Sequence, residues 1–342
     1  MLIRQISKDS LSSLVFLCIN FACLCLLLVF EDFVGIGPGQ AHVDEQTYLK
    51  SSENFNLIFG SGYFFLSWAF GGNLFYLVGI NVLVYLYTNV KLYGLLRRHF
   101  CRSYFQVFIA LVVILDLYRM HLALHVLKDT LVIFLIVIVF TSNRVVSILS
   151  FLGVCFLRLA SPLYIIGLIR SPVVLLVAII FLFASIEIFV PGTLSYLLRG
   201  GNETMVFQSY DAVPTFNELG ILGDVLRAFV WPFLTISGGY IMLSPTVMFV
   251  PMAVSAAALQ VVFFLRYRRF CFSLGIYVSM SIYALFTPGF TTFIRYVYPL
   301  LTIMPLLALG SYHFETSYDY YFKRVKRSTR AIVQAFLRGG AY

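Results

Sequence analysis

The sequence predicts an all-α protein, a polytopic bundle of about 8–10 transmembrane helices with two long extracytoplasmic loops that carry short interfacial helices. Of the 342 residues, 61% are hydrophobic and only 11% are charged, and the mean hydropathy is +0.92. A soluble domain carries about 25% charged residues, so this composition indicates a chain that lies in a bilayer. It excludes a soluble nucleotide-binding enzyme, a nucleic-acid-binding module and a secreted disulfide scaffold.

The predicted spans are apolar runs of about 20 residues, the length that crosses the hydrocarbon core. One further run, 145–169, is interrupted by Arg158 and by Ser161-Pro162, so it is either one span or two short half-helices. The uninterrupted runs are 11–30, 73–95, 104–122, 128–142, 172–190, 246–265, 270–287 and 293–312.

Lysine and arginine are enriched in the short cytoplasmic loops of membrane proteins, and this rule orients the chain. Most of the 24 basic residues fall in segments that share one side if 145–169 is a hairpin. The loops on the other side hold only Lys50, Arg199 and Arg227. Both termini are therefore predicted to be cytoplasmic.

Residues 1–312 are predicted to form a single membrane domain, with outer loops at about 31–72 and 191–245. Most of the 15 acidic residues lie in these two loops, which predicts that the functional site faces the outer side. Residues 313–342 mix basic and apolar residues, a pattern typical of an amphipathic cytoplasmic tail on an anionic membrane surface.

Several charged residues lie at membrane depth, where a charge is costly and therefore indicates a function. Lys128 and Asp129 are adjacent at the outer end of a span, which favours a cation positioned for a phosphate. Arg158 lies at the break in 145–169, and Arg295 lies near the outer end of the last span. A guanidinium stays charged there and its fork fits a phosphate. Each arginine therefore needs an anionic partner, either a remote carboxylate or a lipid-linked phosphate.

Two neighbouring pairs favour structural interpretations. Asp116 and Arg119 are three residues apart on one predicted helix, so they are expected to pair with each other. His121 and His125 form H-x-x-x-H, a spacing that can bind zinc. The glutamate of a metalloprotease motif is missing from this segment, so zinc is the minor alternative and we expect no metal ion.

The first outer loop contains adjacent carboxylates followed by an aromatic segment. Asp44 and Glu45 stand in AHVDEQTYL, and adjacent acids in a loop are either simply solvated or catalytic. The segment 60–72, GSGYFFLSWAFGG, is too short to cross a bilayer and is typical of an interfacial helix.

Short motifs follow one another in a fixed order along residues 10–300. The motifs are, in order, an acidic pair, a G-x-N-x-L span, an L-K-D-x-L motif, an intramembrane arginine, an aromatic segment in the second outer loop and a late R-Y-x-x-P. The residues are Asp44 and Glu45, then Gly79, Asn81 and Leu83, then 127–135, 156–163 and 226–233, and last Arg295, Tyr296 and Pro299. This order resembles the GT-C superfamily of membrane glycosyltransferases, and within it the polymerases of bacterial surface polysaccharides such as O-antigen and capsule.

The resemblance implies a donor glycan on polyprenyl phosphate or diphosphate and transfer to a sugar hydroxyl at the outer face of the bacterial cytoplasmic membrane. Asp44 is the expected general base, with Glu45 as the close alternative. Cations would meet the phosphate charge in place of a metal, and no cofactor is expected. The expected donor-binding residues are Lys128, Asp129, Arg158, Arg295, Tyr296, Arg119 and Arg227. The residues expected to stack on acceptor sugars are Trp68 and Trp231.

Other functions use overlapping features. A transferase that adds a single sugar from polyprenyl phosphate needs the same residues as a polymerase. A lipid-linked oligosaccharide flippase or another transporter should show paired broken helices, and only one broken segment is visible. A membrane acyltransferase would need His121 or His125 as its base. The expected partners are the lipid-linked glycan, the bilayer and other glycan-assembly membrane proteins, with no nucleic acid.

Overall fold

The computed structural model describes much of the chain, and all statements below concern its described residues. These are 2–39, 43–50, 62–99, 116–158, 160–167, 172–189, 216, 219, 221–239, 249–267, 274–287 and 289–307. They are predominantly helical and contain no strand, which confirms the all-α prediction. Most of the predicted span 104–122, much of the second outer loop and the tail 313–342 lie outside this set.

The helices are numbered in chain order, and a π-helical turn follows the last of them. They are α1 (Leu2–Val34), α2 (Val43–Lys50), α3 (Gly62–Ala69), α4 (Leu74–His99), α5 (Leu117–Leu124), α6 (Asp129–Thr141), α7 (Arg144–Leu157), α8 (Pro162–Ile166), α9 (Pro172–Phe189), α10 (Ile221–Ser237), α11 (Phe249–Tyr267), α12 (Leu274–Phe286), α13 (Phe290–Tyr298) and the π turn Pro299–Ile303.

Two of these helices are long and apolar enough to cross a membrane, namely Ser13–Val34 within α1 and Leu74–Leu95 within α4. A third crossing results if α5 and α6 form one span, which would be bent by 116° at residues 125–128. We call this segment the 125–128 bend. The larger number of spans expected from the sequence stays a prediction, since the other apolar helices of the described chain are shorter.

The ambiguous run 145–169 takes the broken form. Helix α7 ends at Leu157, Arg158 is extended (φ −151°, ψ 112°), and α8 begins at Pro162. Proline fits the first turn of a helix, where its missing N–H needs no partner, but it cannot continue α7. The Ser161 hydroxyl donates to the Val154 carbonyl at 3.1 Å and closes the break. Arg158 is therefore placed in non-helical backbone between two helices.

The helices pack in two contacting groups. Helix α4 packs against α1, α5 and α6, and α6 packs against α7. Helix α12 packs against α8, α10 and α13. Contacts of α11 with α5, and of the π turn with α6 and α11, join the two groups. Helix α2 packs on α3, which in turn contacts α7.

Much of the outer surface of the helices is apolar. Phe33 is 89% exposed, and Phe181 and Ile188 are each 74% exposed. Large apolar side chains exposed to this degree on several helices are unfavourable in water, whereas lipid chains solvate them readily. The surface therefore agrees with the composition in indicating a membrane-embedded chain.

Candidate functional site

Four charged side chains from distant parts of the chain form a continuous series of ion pairs. Nη2 of Arg295 donates to Oδ2 of Asp44 at 2.6 Å, and Nε of Arg295 lies 3.0 Å from Oδ2 of Asp129. The other carboxylate oxygen of Asp129 accepts a hydrogen bond from Nη2 of Arg158. With Lys128, these residues make up what we call the charged cluster.

Four members of the charged cluster lie at or beside the end of a helix. Asp44 and Asp129 occupy the first turns of α2 and α6, where carboxylates interact favourably with the helix dipole. Lys128 precedes α6, and Arg158 is the C-cap of α7, where a cation is favoured. Arg295 differs, because α13 continues through the π turn as one helical stretch to residue 307.

Two tyrosines hold Arg158 in place. Its guanidinium lies 4.1 Å from the centre of the Tyr296 ring, and its Nη1 donates to the Tyr164 hydroxyl at 2.7 Å. The Tyr164 hydroxyl donates in turn to the Tyr296 carbonyl at 2.8 Å. Arg158 is thus fixed by a carboxylate, a ring face and a hydroxyl, which offsets the cost of burying its charge.

The charged cluster has a buried side and an accessible side. Asp129 and Arg158 are buried, whereas the side chain of Asp44 is 47% exposed and that of Arg295 is 13% exposed. Lys128 is partly exposed and lies within electrostatic range of Asp44, Arg158 and Arg295. Among these five described residues three are cations and two are carboxylates, so cations outnumber carboxylates within the charged cluster.

Glu45 has a different environment from its neighbour. It is fully buried, and its Oε1 accepts hydrogen bonds from the backbone N–H groups of Val126 (2.7 Å) and Gly39 (3.2 Å). Nδ1 of His125 lies 3.0 Å from the same oxygen. Burial alone would raise the pKa of Glu45, but these donors outweigh it and hold the pKa below its ordinary value. Glu45 therefore fixes the first outer loop to the 125–128 bend.

Asn81 of the G-x-N-x-L motif also holds the 125–128 bend. Its Nδ2 donates to the carbonyls of His125 at 2.7 Å and Leu127 at 3.1 Å, and it lies 3.3 Å from the Tyr63 hydroxyl. A sharp bend exposes backbone carbonyls that a continuous helix would satisfy, and buried carbonyls need donors. Asn81 supplies them from α4, and so positions Lys128 and Asp129.

Some predicted site residues lie elsewhere. Arg119 donates to Asn89 at 2.6 Å in a separate buried network. The expected Asp116–Arg119 pair takes the form of a helix cap, in which Asp116 accepts from the Arg119 backbone N–H at 3.3 Å. Arg227 is buried against Asp224 of its own helix.

The two tryptophans differ in exposure. Trp231 is fully buried, with the rings of Phe290 and Phe293 each 5.4 Å away. The sugar-stacking role expected for Trp231 does not fit this position, because its ring has no exposed face. Trp68 is 44% exposed at the end of α3, so its ring is accessible.

Sequence reasoning missed Glu31 and Tyr164. Glu31 is fully buried and lies against His121 and His125, although it is 90 positions from His121 in sequence. Tyr164 stands in an apolar segment, and only the fold shows that its hydroxyl contacts Arg158. Nothing in the local sequence marks Tyr164 as functional. The only local signal for Glu31 is the cost of a carboxylate at the end of a span.

No family model matches the chain, and no match is found among curated proteins or among solved structures.

Proposed function

We propose that this chain is an integral membrane glycosyltransferase, a polysaccharide polymerase that transfers a glycan from polyprenyl phosphate or diphosphate to a sugar hydroxyl. The observation that supports this most directly is the charged cluster, in which the accessible carboxylate of Asp44 lies beside Arg295 and within electrostatic range of Lys128. An accessible base beside an excess of cations is what transfer from a phosphate-linked donor requires.

Asp44 acts as the general base. Its carboxylate accepts the proton of the acceptor hydroxyl while that oxygen attacks the anomeric carbon of the donor sugar. The bond between the anomeric carbon and the phosphate oxygen breaks, and its electron pair leaves with the phosphate. Glu45 is the weaker candidate, because three donors already occupy its buried oxygen.

The cations of the charged cluster receive the leaving phosphate. Lys128 and Arg295 are accessible enough to contact it, and Arg158 adds positive charge from behind. Asp129 lies between Arg295 and Arg158 and orients both guanidinium groups. It therefore affects the phosphate only indirectly, through these two arginines. The charge that develops on the leaving oxygen is thereby met by groups already in place, which is how preorganised sites lower a barrier.

The membrane topology belongs to the same proposal. The chain is a multi-pass protein of the bacterial cytoplasmic membrane with both termini in the cytoplasm and the charged cluster at the outer face. A lipid-linked donor diffuses in that membrane, and its polyprenyl tail would contact apolar helix surface while its phosphate reaches the headgroup level. In this proposal Trp68, which is exposed at the end of α3, contacts the acceptor glycan.

The test uses the full-length protein in nanodiscs with polyprenyl-diphosphate-linked oligosaccharide repeats, read on a glycan gel. A ladder of lengths that is lost in Asp44→Asn and kept in the control Asp32→Asn supports the polymerase. Asp32 is a suitable control because it is an exposed acid at the end of α1. Addition of one unit replaces the polymerase by a transferase that decorates a glycan with single sugars. Absence of transfer, together with movement of lipid-linked sugar across the bilayer, overturns the proposal in favour of a flippase.

A further inference from the structure

Three buried side chains outside the charged cluster converge on one point. Nδ1 of His121 lies 2.7 Å from Oε1 of Glu31, and Nε2 of His125 lies 3.3 Å from Oε2 of Glu31. One donor atom from each of the three residues lies within 4.8 Å of the others. Glu31 comes from the end of α1, His121 from α5 and His125 from the 125–128 bend, so the group joins three segments.

These distances are close to those of a metal site. Zinc bound at 2.0–2.1 Å in a tetrahedron holds its ligand atoms about 3.3 Å apart. The two nitrogen–oxygen distances, 2.7 and 3.3 Å, lie at or below that value, and the three donor atoms all lie within 4.8 Å of one another. Two histidines and one glutamate are a common zinc ligand set, and imidazole and carboxylate donors suit first-row divalent ions.

The surroundings of His125 match those of a metal-bound histidine. Its Nδ1 lies 3.0 Å from Oε1 of Glu45, on the side of the ring opposite Nε2. A carboxylate that receives the second ring N–H fixes the tautomer and directs the other nitrogen at the ion. Glu45 is therefore in the position of an outer-shell partner, although nothing in its own sequence neighbourhood indicates this.

The charge of the group also calls for a cation. Glu31, Glu45 and His125 are fully buried and His121 is 5% exposed. With both histidines neutral, the Glu31 carboxylate is a charge in a region that excludes water, which is costly unless it is compensated. Within the described residues, Oε2 of Glu31 accepts no hydrogen bond, and its neighbour Nε2 of His125 lies 3.3 Å away. A divalent ion between these atoms would satisfy this oxygen and compensate its charge.

We infer that Glu31, His121 and His125 bind one divalent transition-metal ion, with zinc as the best match and Glu45 as its outer-shell partner. The ion ties the end of α1 to α5 and to the 125–128 bend, and its three protein ligands leave a fourth coordination position for another donor. Through Glu45 it also fixes the residue next to Asp44. The inference rests on this geometry alone and is independent of the proposed glycosyl transfer.

The test measures the metal content of the full-length protein in nanodiscs. Protein stripped with a chelator is given Zn²⁺, freed of excess ion and analysed by mass spectrometry for zinc per chain, and its unfolding temperature is measured with and without Zn²⁺. We expect about one equivalent of zinc per chain and a higher unfolding temperature with the ion. Glu31→Gln and His121→Ala should lose the ion, whereas Glu187→Gln, a carboxylate substitution on α9, should keep it.

A substitution at the site could unfold the protein even if no metal binds there, so two further results are needed to test the inference. Glu45→Gln retains the three ligands and should weaken zinc binding about 10–100-fold without abolishing it. Wild-type protein that retains no zinc and whose unfolding temperature is unchanged by Zn²⁺ would overturn the inference. In that case protons on the histidines compensate the two carboxylates. Neither measurement depends on transferase activity.

Discussion

Asp44 and Arg295 are 251 positions apart in the sequence and form an ion pair with 2.6 Å between Oδ2 and Nη2. The pair joins α2 to α13. Because Arg295 also contacts the buried Asp129, the position of Asp44 depends on the interior of the bundle. A carboxylate that lies in a loop by sequence is thus held by the fold at a defined place.

Asp129→Asn should destabilise the protein. The substitution removes the carboxylate that both buried arginines contact, and breaking a buried ion pair costs about 3–5 kcal/mol. Thermal unfolding in detergent would show a lower midpoint than wild type. Asp32→Asn, on an exposed acid, should change the free energy of unfolding by less than about 0.5 kcal/mol. Equal midpoints for Asp129→Asn and wild type would show that Asp129 does not hold the arginines.

Glu45→Gln should loosen the link between the first outer loop and the 125–128 bend. The amide oxygen still accepts a hydrogen bond, but the bonds from Val126 and Gly39 lose their charge assistance. Hydrogen bonds to charged groups contribute about 1.5–3 kcal/mol, so a loss of at least 1 kcal/mol is expected. Amide exchange at Val126 reports this locally, and it should accelerate in the variant. Unchanged exchange at Val126 would contradict the role given to Glu45.

Asn81→Ala should release the 125–128 bend. Two buried backbone carbonyls lose the donor that α4 supplies. The His125 carbonyl still accepts from the Leu127 N–H at 2.8 Å, so the main cost comes from the Leu127 carbonyl, and an unsatisfied buried group costs about 1–3 kcal/mol. Asn143→Ala is a useful comparison because Asn143 is an N-cap whose loss costs about 1 kcal/mol. Thermal unfolding should rank Asn81→Ala as clearly the more damaging change. The reverse order would mean that the bend is held by other contacts.

Gly62→Ala should disturb the packing of α3 on α7. A Cβ at Gly62 would overlap the ring of Phe156 and lie 3.1 Å from its backbone oxygen, so the ring or α3 must shift. Gly79→Ala is the matched control, because a Cβ there meets no atom within 4 Å and alanine favours the helix by about 1 kcal/mol. Unfolding should occur at lower temperature for Gly62→Ala and not for Gly79→Ala. A neutral Gly62→Ala would indicate that α3 does not pack closely on α7.

Much of the helical architecture can be predicted from the sequence, because apolar runs and proline chemistry act locally. The break between Arg158 and Pro162 is an example: proline cannot continue α7, and the chain turns there. The number of membrane crossings cannot be predicted in the same way. A run of apolar residues indicates only that a segment is buried or contacts lipid. For example, α6 and α12 have only 13 residues each, which is too few to cross a membrane alone.

Apart from Asp44, which the resemblance indicated, the members of the charged cluster could be chosen from the sequence because a charge at membrane depth is costly wherever it occurs. Their partners could not, since they come from other helices. Asp44 and Glu45 show the limit most clearly. They are adjacent and chemically alike, yet one contacts Arg295 at the surface and the other is buried against Val126. Only tertiary packing separates them, as it also buries the ring of Trp231.

The central claim is that Asp44 removes the proton of the acceptor while the cations beside it hold the phosphate. Its most direct test measures transfer rate at saturating donor, together with donor affinity, for wild type and Asp44→Asn in nanodiscs. Loss of a general base should lower the rate about 100-fold or more. Donor affinity should stay the same or increase, because Arg295 loses a carboxylate that competes with the phosphate. A wild-type rate in Asp44→Asn would contradict the account.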